Sequence, residues 1–156
     1  IIVYILAFYL LFLKEKENGI TNFRKVVNIS STSGMFGNAG QINYATAKAG
    51  VVGMAKTMAK EWGRYNVNVN AVGFGLIKTR LTDADAEKEE SLIDIQGNKI
   101  KVGVNSAVFQ SAKTMIPLGR PGTPQEAAGA IYMFCIPESN YVTGQILMCH
   151  GGGFGY

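Results

Sequence analysis

Residues 25–60 read KVVNISSTSGMFGNAGQINYATAKAGVVGMAKTMAK, and three textures follow one another within them. Val26, Val27 and Ile29 form a short β-branched run, the composition of a buried strand; with its flanks it reads as a strand over 24–30. Serines and glycines between Ser31 and Asn43 make a polar loop, where Gly34, Gly37 and Gly40 permit unusual backbone angles and close approach of a ligand. From about Tyr44 to about Tyr65 the residues favour a helix. Tyr44 and Lys48 are four residues apart, one helical turn, so both side chains share a face. An ammonium beside a phenol favours the phenolate, and a tyrosine tuned in this way exchanges a proton with a substrate oxygen near neutral pH. A hydroxyl at the end of the preceding strand is placed to bond the same oxygen, and Ser30, Ser31, Thr32 and Ser33 compete for that role. The expected chemistry is carbonyl–alcohol interconversion, which needs a hydride that no side chain can supply.

The spacing Ser31-x12-Tyr44-x3-Lys48, with NAGQINYATAKAG at 38–50 around it, resembles the short-chain dehydrogenase/reductases. The likeness is greatest to the 3-oxoacyl-(acyl-carrier-protein) reductases and their relatives. It continues through NVNVNAVGFGLIKTRLT at 66–82, IPLGRPGTPQEAAGAIYMFC at 116–135 and YVTGQILMCHGGG at 141–153. In all it covers roughly residues 23 to 153.

The resemblance implies an α/β fold, the C-terminal portion of a doubly wound parallel-sheet Rossmann fold. Residues 1–156 would be a single domain, the later part of an NAD(P)-binding reductase domain seen as a fragment. The Gly-rich strand-to-helix turn that holds the cofactor pyrophosphate in such domains is not found in this sequence. The implied function is hydride transfer between NADP(H) or NAD(H) and a ketone or secondary alcohol, a 3-oxoacyl thioester of fatty acid metabolism first among them. Family spacing selects Ser31 to hold the substrate carbonyl. Tyr44 becomes the general acid in reduction. Lys48 tunes Tyr44 and binds the nicotinamide ribose. Gly75, Ile77 and Thr79 lie beside the nicotinamide. Gln41 faces substrate, with polar loop support as the other reading of Gln41 and Asn43. The helix after Tyr44 carries Ala45, Ala47, Ala49, Gly50 and Gly53 and would form a homo-oligomer interface, dimer or tetramer. The other reading is a non-catalytic truncated remnant or oligomerisation module of the same family. Two departures stand out: Phe74-Gly75 replaces the family's Pro-Gly, and no asparagine occurs in residues 1–17 to hold a relay water.

Composition narrows the field. The 156 residues carry a net charge of +4, with 47% apolar residues and 19 glycines. Lysines and arginines are scattered rather than striped, which argues against nucleic acid as a partner. Cys135 and Cys149 lie in apolar surroundings and read as buried free thiols, not a disulfide or a metal pair. No cluster has metal-ligand spacing. His150, the only histidine, reads as a surface or interface residue.

Residues 1–13, IIVYILAFYLLFL, fall short of the roughly 20 that a membrane span needs. They read as an apolar helix packed on the sheet, with a membrane anchor as the alternative. KEKENG at 14–19 is a charged helix end with a glycine stop. NVNVNAV at 66–72 reads as the next strand and GFGLIKT as the loop beyond it. TDADAEKEE at 82–90 starts a helix, SLIDIQGNKIKVGV at 91–104 makes a hairpin about Gly97-Asn98, and SAVFQSAKTMIPL at 106–118 an amphipathic helix. This segment would be the substrate lid. Thr123, Pro124 and Glu126 predict an N-cap, first turn and capping box. The sequence names no compartment, with cytoplasm or mitochondrion expected.

Overall fold

A computed structural model describes residues 2–20, 22–79, 92–95, 98–101, 111 and 114–153. Helix α1 (Ile2–Glu17) comes first. Gly19 ends its charged tail at φ +69°, a left-handed angle that glycine adopts without strain. Strand β1 (Arg24–Ser31) follows, then a short helix α2 (Thr32–Phe36) and the long helix α3 (Ile42–Trp62). A 3-10 turn (Gly63–Tyr65) leads into β2 (Val67–Phe74). Strands β3 (Leu92–Ile95) and β4 (Asn98–Lys101) come next, then helix α4 (Pro124–Tyr132) and strand β5 (Ile146–Cys149).

The main sheet has three strands in the order β1-β2-β5. Both pairings are parallel: Val26 lies beside Val69 and Ile29 beside Val72, while Ala71 lies beside Ile146 and Phe74 beside Cys149. Parallel neighbours need a crossover, and α3 provides it between β1 and β2. This is a Rossmann-like α/β fold. Among the described residues, no helix is long and apolar enough to cross a membrane.

Each face of the sheet has its own core. On one, Ala55, Met58, Ala59 and Trp62 of α3 pack on Val67, Val69 and Ala71, joined by Phe12 of α1. The Phe12 and Trp62 rings meet edge to face at 5.3 Å between centroids, a favourable arrangement of ring quadrupoles. An Arg24–Glu15 ion pair ties α1 to the start of β1. On the other face, Val72, Ala130 and Phe134 form a smaller cluster.

The central strand explains a sequence oddity. Asn68 and Asn70 alternate with valines, yet both are buried. Their amides serve as internal stitching. The Asn68 Nδ2 donates to Asn140 O and Val142 O, and the Asn70 Nδ2 donates to Val142 O at 2.9 Å. The Asn70 Oδ1 accepts from the Gln145 N–H at 2.9 Å. Buried amides satisfied in this way cost little and fix the entry of β5.

Several expectations shift in detail. The loop after β1 contains α2, capped by the Ser31 side chain, which accepts from the Ser33 N–H. The long helix starts at Ile42, before Tyr44, and its α-winding ends at Trp62, the 3-10 turn completing the run to Tyr65. The two strands of the expected hairpin pair antiparallel, with Asn98 itself paired with Ile95, and residues 96–97 between them lie outside the described residues. The helical readings of 82–90 and most of 106–118 also lie outside them. Cys135 is exposed rather than buried, lying in the turns that follow α4 rather than on its packed face; Cys149 is half-buried.

Candidate active site

Parallel strands run in the same direction, so the residues at their C-terminal ends collect at one edge of the sheet, where open α/β sheets bind ligands. Ser31 closes β1, Phe74 closes β2 with Gly75 after it, and His150 follows β5. Ser31 is buried, and as N-cap its Oγ accepts from the Ser33 N–H at 3.2 Å. The hydroxyl proton remains available for a ligand oxygen.

Helix α3 is pinned against this edge at the level of Lys48. The Ser30 Oγ donates to the Lys48 carbonyl at 2.8 Å. Gly34 of α2 lies so close to α3 that a Cβ there would stand 2.6 Å from the Lys48 carbonyl carbon and 2.8 Å from the Ala49 nitrogen. Only glycine fits. The Lys48 Nζ donates to the Ile29 carbonyl at 3.0 Å and stands 5.7 Å from the centre of the Tyr44 ring. That distance is within cation–π range. Tyr44 is 43% exposed, on the first turn of α3. The structure thus places Lys48 beside both Tyr44 and the end of β1.

Gln41 serves the loop. Its Oε1 accepts from the Ser33 Oγ at 2.9 Å and from the Asn38 Nδ2 at 3.1 Å. Asn43 does likewise, its Oδ1 accepting from the Tyr44 N–H.

The loop after β2 is held from two sides. The Gly75 N–H donates to Cys149 O at 3.0 Å. Residues 76–78 then pair with Gly122: the Gly122 N–H donates to Leu76 O, the Lys78 N–H donates to Gly122 O, and Ile77 and Gly122 form a parallel bridge. Thr79 is exposed at its end. Phe74 packs into the second core, so burial of a ring anchors the segment where a proline would restrict φ.

Three participants escaped the sequence. Ser30 reads as a strand-end hydroxyl, yet it fixes the height of Lys48. Gly122 drew no reading of its own from the sequence, yet it pairs with Ile77. His150 reads as a surface or interface residue and is half-buried. Its Cα and Cβ crowd Gly75, where a Cβ would stand 2.7 Å from the His150 Cβ and 3.7 Å from the Thr32 Cγ2. Its Nδ1 accepts from the Gly152 N–H at 3.0 Å. The available signal was position: a residue just past the last parallel strand faces the ligand edge.

The thiols lie beside this arrangement. Burial pushes the Cys149 thiol above the ordinary range, which makes it a poor nucleophile. Among the described residues, no group of three or more His, Cys, Asp or Glu is placed to hold a metal ion. A cavity of about 570 Å³ lies at the opposite end of the strands, lined by Phe23, Asn66, Asn68, Asn140 and Tyr141 among others.

Comparison with known proteins agrees with the geometry. The family described as enoyl-(acyl carrier protein) reductase matches residues 9–153. A 3-oxoacyl-(acyl-carrier-protein) reductase of Thermotoga maritima is 42% identical over 127 residues, 81% of this chain and 44% of that protein. One from Synechocystis is 37% identical over 143 residues, 91% of this chain and 47% of that protein. The chain therefore spans about half the length of the curated relatives it matches. A short chain dehydrogenase from Bacillus anthracis superposes with a TM-score of 0.67 at 31% identity, over 92% of this chain and 49% of that one. A 4-hydroxyisoleucine dehydrogenase complexed with NADH superposes with a TM-score of 0.69 at 23% identity, over 96% of this chain and 53% of that one, and so shares the fold. By its sheet, its Ser31–Tyr44–Lys48 spacing and these matches, the chain belongs to the short-chain dehydrogenase/reductase family.

Proposed function

We propose that this chain is the later part of an NAD(P)-dependent reductase domain and that it carries the proton-transfer half of the reaction. The substrate is a ketone, a 3-oxoacyl thioester in first place, reduced to the secondary alcohol or formed from it. The observation that carries this reading is the placement of the Lys48 ammonium 5.7 Å from the Tyr44 ring beside the end of β1.

The Ser31 hydroxyl donates to the substrate carbonyl oxygen and polarises it. Tyr44 gives that oxygen a proton as the carbonyl is reduced. Lys48 stabilises the phenolate left behind through its charge. The residues present fit the nicotinamide half of the cofactor: Tyr44 and Lys48 offer donors to ribose hydroxyls, and the backbone at Gly75, Ile77 and Thr79 lies at the ligand edge of the sheet. When bound, the reduced nicotinamide supplies the hydride. NADP and NAD serve this chemistry equally. The phosphate-holding glycine turn belongs to the other part of the domain.

A second reading, an oligomerisation module, is favoured by one observation. Ala47, Ala49, Gly50 and Gly53 leave a smooth exposed flank on α3, and Ile42 beside them is 84% exposed. In the full domain the two readings coexist as a homo-oligomeric enzyme.

The test uses the full-length coding sequence that contains this chain. Purified protein should consume NADPH or NADH with a 3-oxoacyl thioester, followed by the loss of reduced-nicotinamide absorbance. Tyr44→Phe should lower kcat by about 10²–10⁴-fold, the usual share of a general acid. Consumption that survives Tyr44→Phe intact, or none with any ketone, would end the proposal.

A further inference from the structure

The turn at 150–153 joins three parts of the ligand edge. The Gly75 N–H donates to Cys149 O at 3.0 Å, and a Cβ on Gly75 would stand 2.7 Å from the His150 Cβ, so the end of β5 lies directly against the loop after β2. Residues 115–118 lie against the same turn. A Cβ placed on Gly151 would stand 2.7 Å from the Ile116 Cγ2, and one on Gly152 would stand 3.1 Å from the Pro117 Cγ. The Leu118 N–H donates to Gly151 O at 3.2 Å. The chain then runs on to Gly122, whose carbonyl accepts from the Lys78 N–H at 2.8 Å and whose N–H donates to Leu76 O at 3.0 Å. Residues 76–78 are thus seated on Gly122, and 115–118 on the turn. Gly151 and Gly152 hold φ of +65° and +82°, angles that glycine reaches without strain and also leaves without strain. Some bond must select one conformation. The Gly153 N–H donates to His150 O at 3.1 Å, and the His150 Nδ1 accepts from the Gly152 N–H at 3.0 Å. A side-chain acceptor that bonds the amide two residues on is the device by which Asn and Asp fix a turn. With Nδ1 accepting, the neutral ring carries its proton on Nε2.

We propose that His150 is a positioning residue for the loop at 75–79 and acts through its Nδ1 acceptor. The ring holds the glycine turn, the turn seats 115–118, and Gly122 carries that placement to Ile77 and Lys78. This role rests on the proposed function, in which that loop meets the nicotinamide. What matters is the position of one acceptor, not the size or aromaticity of the ring. Asparagine meets the same requirement, since its Oδ1 is attached to Cγ as the Nδ1 is. Glutamine does not, because it carries its oxygen one carbon farther out. Tyr44 and Lys48 are held separately, on α3, which Ser30 and Gly34 fix against the end of β1. Loss of the acceptor should therefore loosen cofactor binding more than it slows proton transfer.

The test uses the full-length coding sequence that contains this chain, and its first readout needs no cofactor. Amide hydrogen exchange is followed at Leu118, Gly122 and Lys78. His150→Leu should speed exchange at these three by about five- to tenfold, the weight of one lost hydrogen bond, while the β1–β2 ladder keeps its rate. His150→Gln should do the same, and His150→Asn should restore the original rates. The second readout is the Kd of NADPH or NADH, from reduced-nicotinamide fluorescence. It should rise by about five- to tenfold in His150→Leu and His150→Gln, more than kcat at saturating cofactor falls, and return in His150→Asn. Original exchange rates in His150→Leu and His150→Gln would overturn the proposal. So would failure of His150→Asn to restore them, or acceleration that spreads through the β1–β2 ladder, since either would make the ring a packing element. Acceleration at the three amides with an unchanged Kd would overturn it too, because the loop would not bear on the cofactor. Where His150→Leu fails to fold, His150→Gln and His150→Asn decide, both being polar amides that differ in where the acceptor stands. Hydride transfer can fail with every ketone while exchange and Kd respond as described, and it can proceed with the His150 variants silent, so the two readings fall separately.

Discussion

The two faces of the sheet are built to different densities. On the α3 face, Trp62, Met58, Ala55 and Phe12 close over Val67, Val69 and Ala71. On the α4 face, Val72, Ala130 and Phe134 make the buried cluster, and Tyr132 and Met133 stay exposed. The proposed chemistry hangs from the dense face. Lys48 and Tyr44 ride on α3, and α3 is held to the sheet by its own core and by the Ser30–Lys48 bond. Proton transfer needs groups placed to within a fraction of an ångström, and a well-packed helix provides that better than a loop.

The contrast sets an order of expected effects. Trp62→Ala should be the most damaging, costing about 5 kcal/mol, because it opens a cavity that rigid neighbours cannot refill. Phe134→Ala, on the thinner face, should cost about 3 kcal/mol, since exposed neighbours can collapse into the gap. Equilibrium urea unfolding of both variants tests the difference, and equal losses would mean the faces are equally rigid. Gly34→Ala should cost about 1–3 kcal/mol by wedging α2 away from Lys48, with a fall in kcat of the full-length enzyme beyond what partial unfolding explains. Thr123→Ala, which removes the N-cap of α4, should cost about 1 kcal/mol.

The smallest effect is a pH dependence on the α4 side. The Arg120 guanidinium donates to both Glu126 oxygens, and the Thr123 N–H donates to one of them. These bonds hold the Glu126 carboxyl down to about 2 from an ordinary 4.5. A depressed carboxylate contributes stability that is fully present above the unfolded value and is lost as pH falls toward the folded one. Loosening of α4 is therefore expected between about pH 4.5 and about pH 2, and only weakly, because the pair lies at the surface and is screened by water. A carboxyl NMR titration of Glu126 with its midpoint near 4 would show the pair to be absent in solution.

The parts that were legible in the sequence are those where local chemistry and tertiary role agree. Thr123-Pro124-x-Glu126 states a helix start in four residues, and the capping box forms as read. The proximity of Tyr44 and Lys48 is legible because helical spacing alone puts the two on one face. Ser30 was passed over because its role depends on a carbonyl 18 residues away, a contact that no local pattern encodes. Asn68 and Asn70 look like solvent-facing positions of an alternating strand. Only the arrival of 140–145 makes them core. Cys135 was misplaced for a related reason: exposure at the end of an element depends on where the next segment turns.

The Asn70–Gln145 bond joins residues 75 positions apart, whereas β1 and β2 are neighbours across the shorter crossover built on α3. Closing a loop of that size costs chain entropy, but the cost grows only with the logarithm of length, about 0.6 kcal/mol for each doubling. The stitched side of β2 thus tolerates insertion. The segment between β2 and β5 can lengthen, shorten or exchange over evolutionary time while the β1–α3–β2 unit stays the same. Diversity of substrates in a lineage built on this plan would accumulate there, at almost no expense to the stability of the sheet.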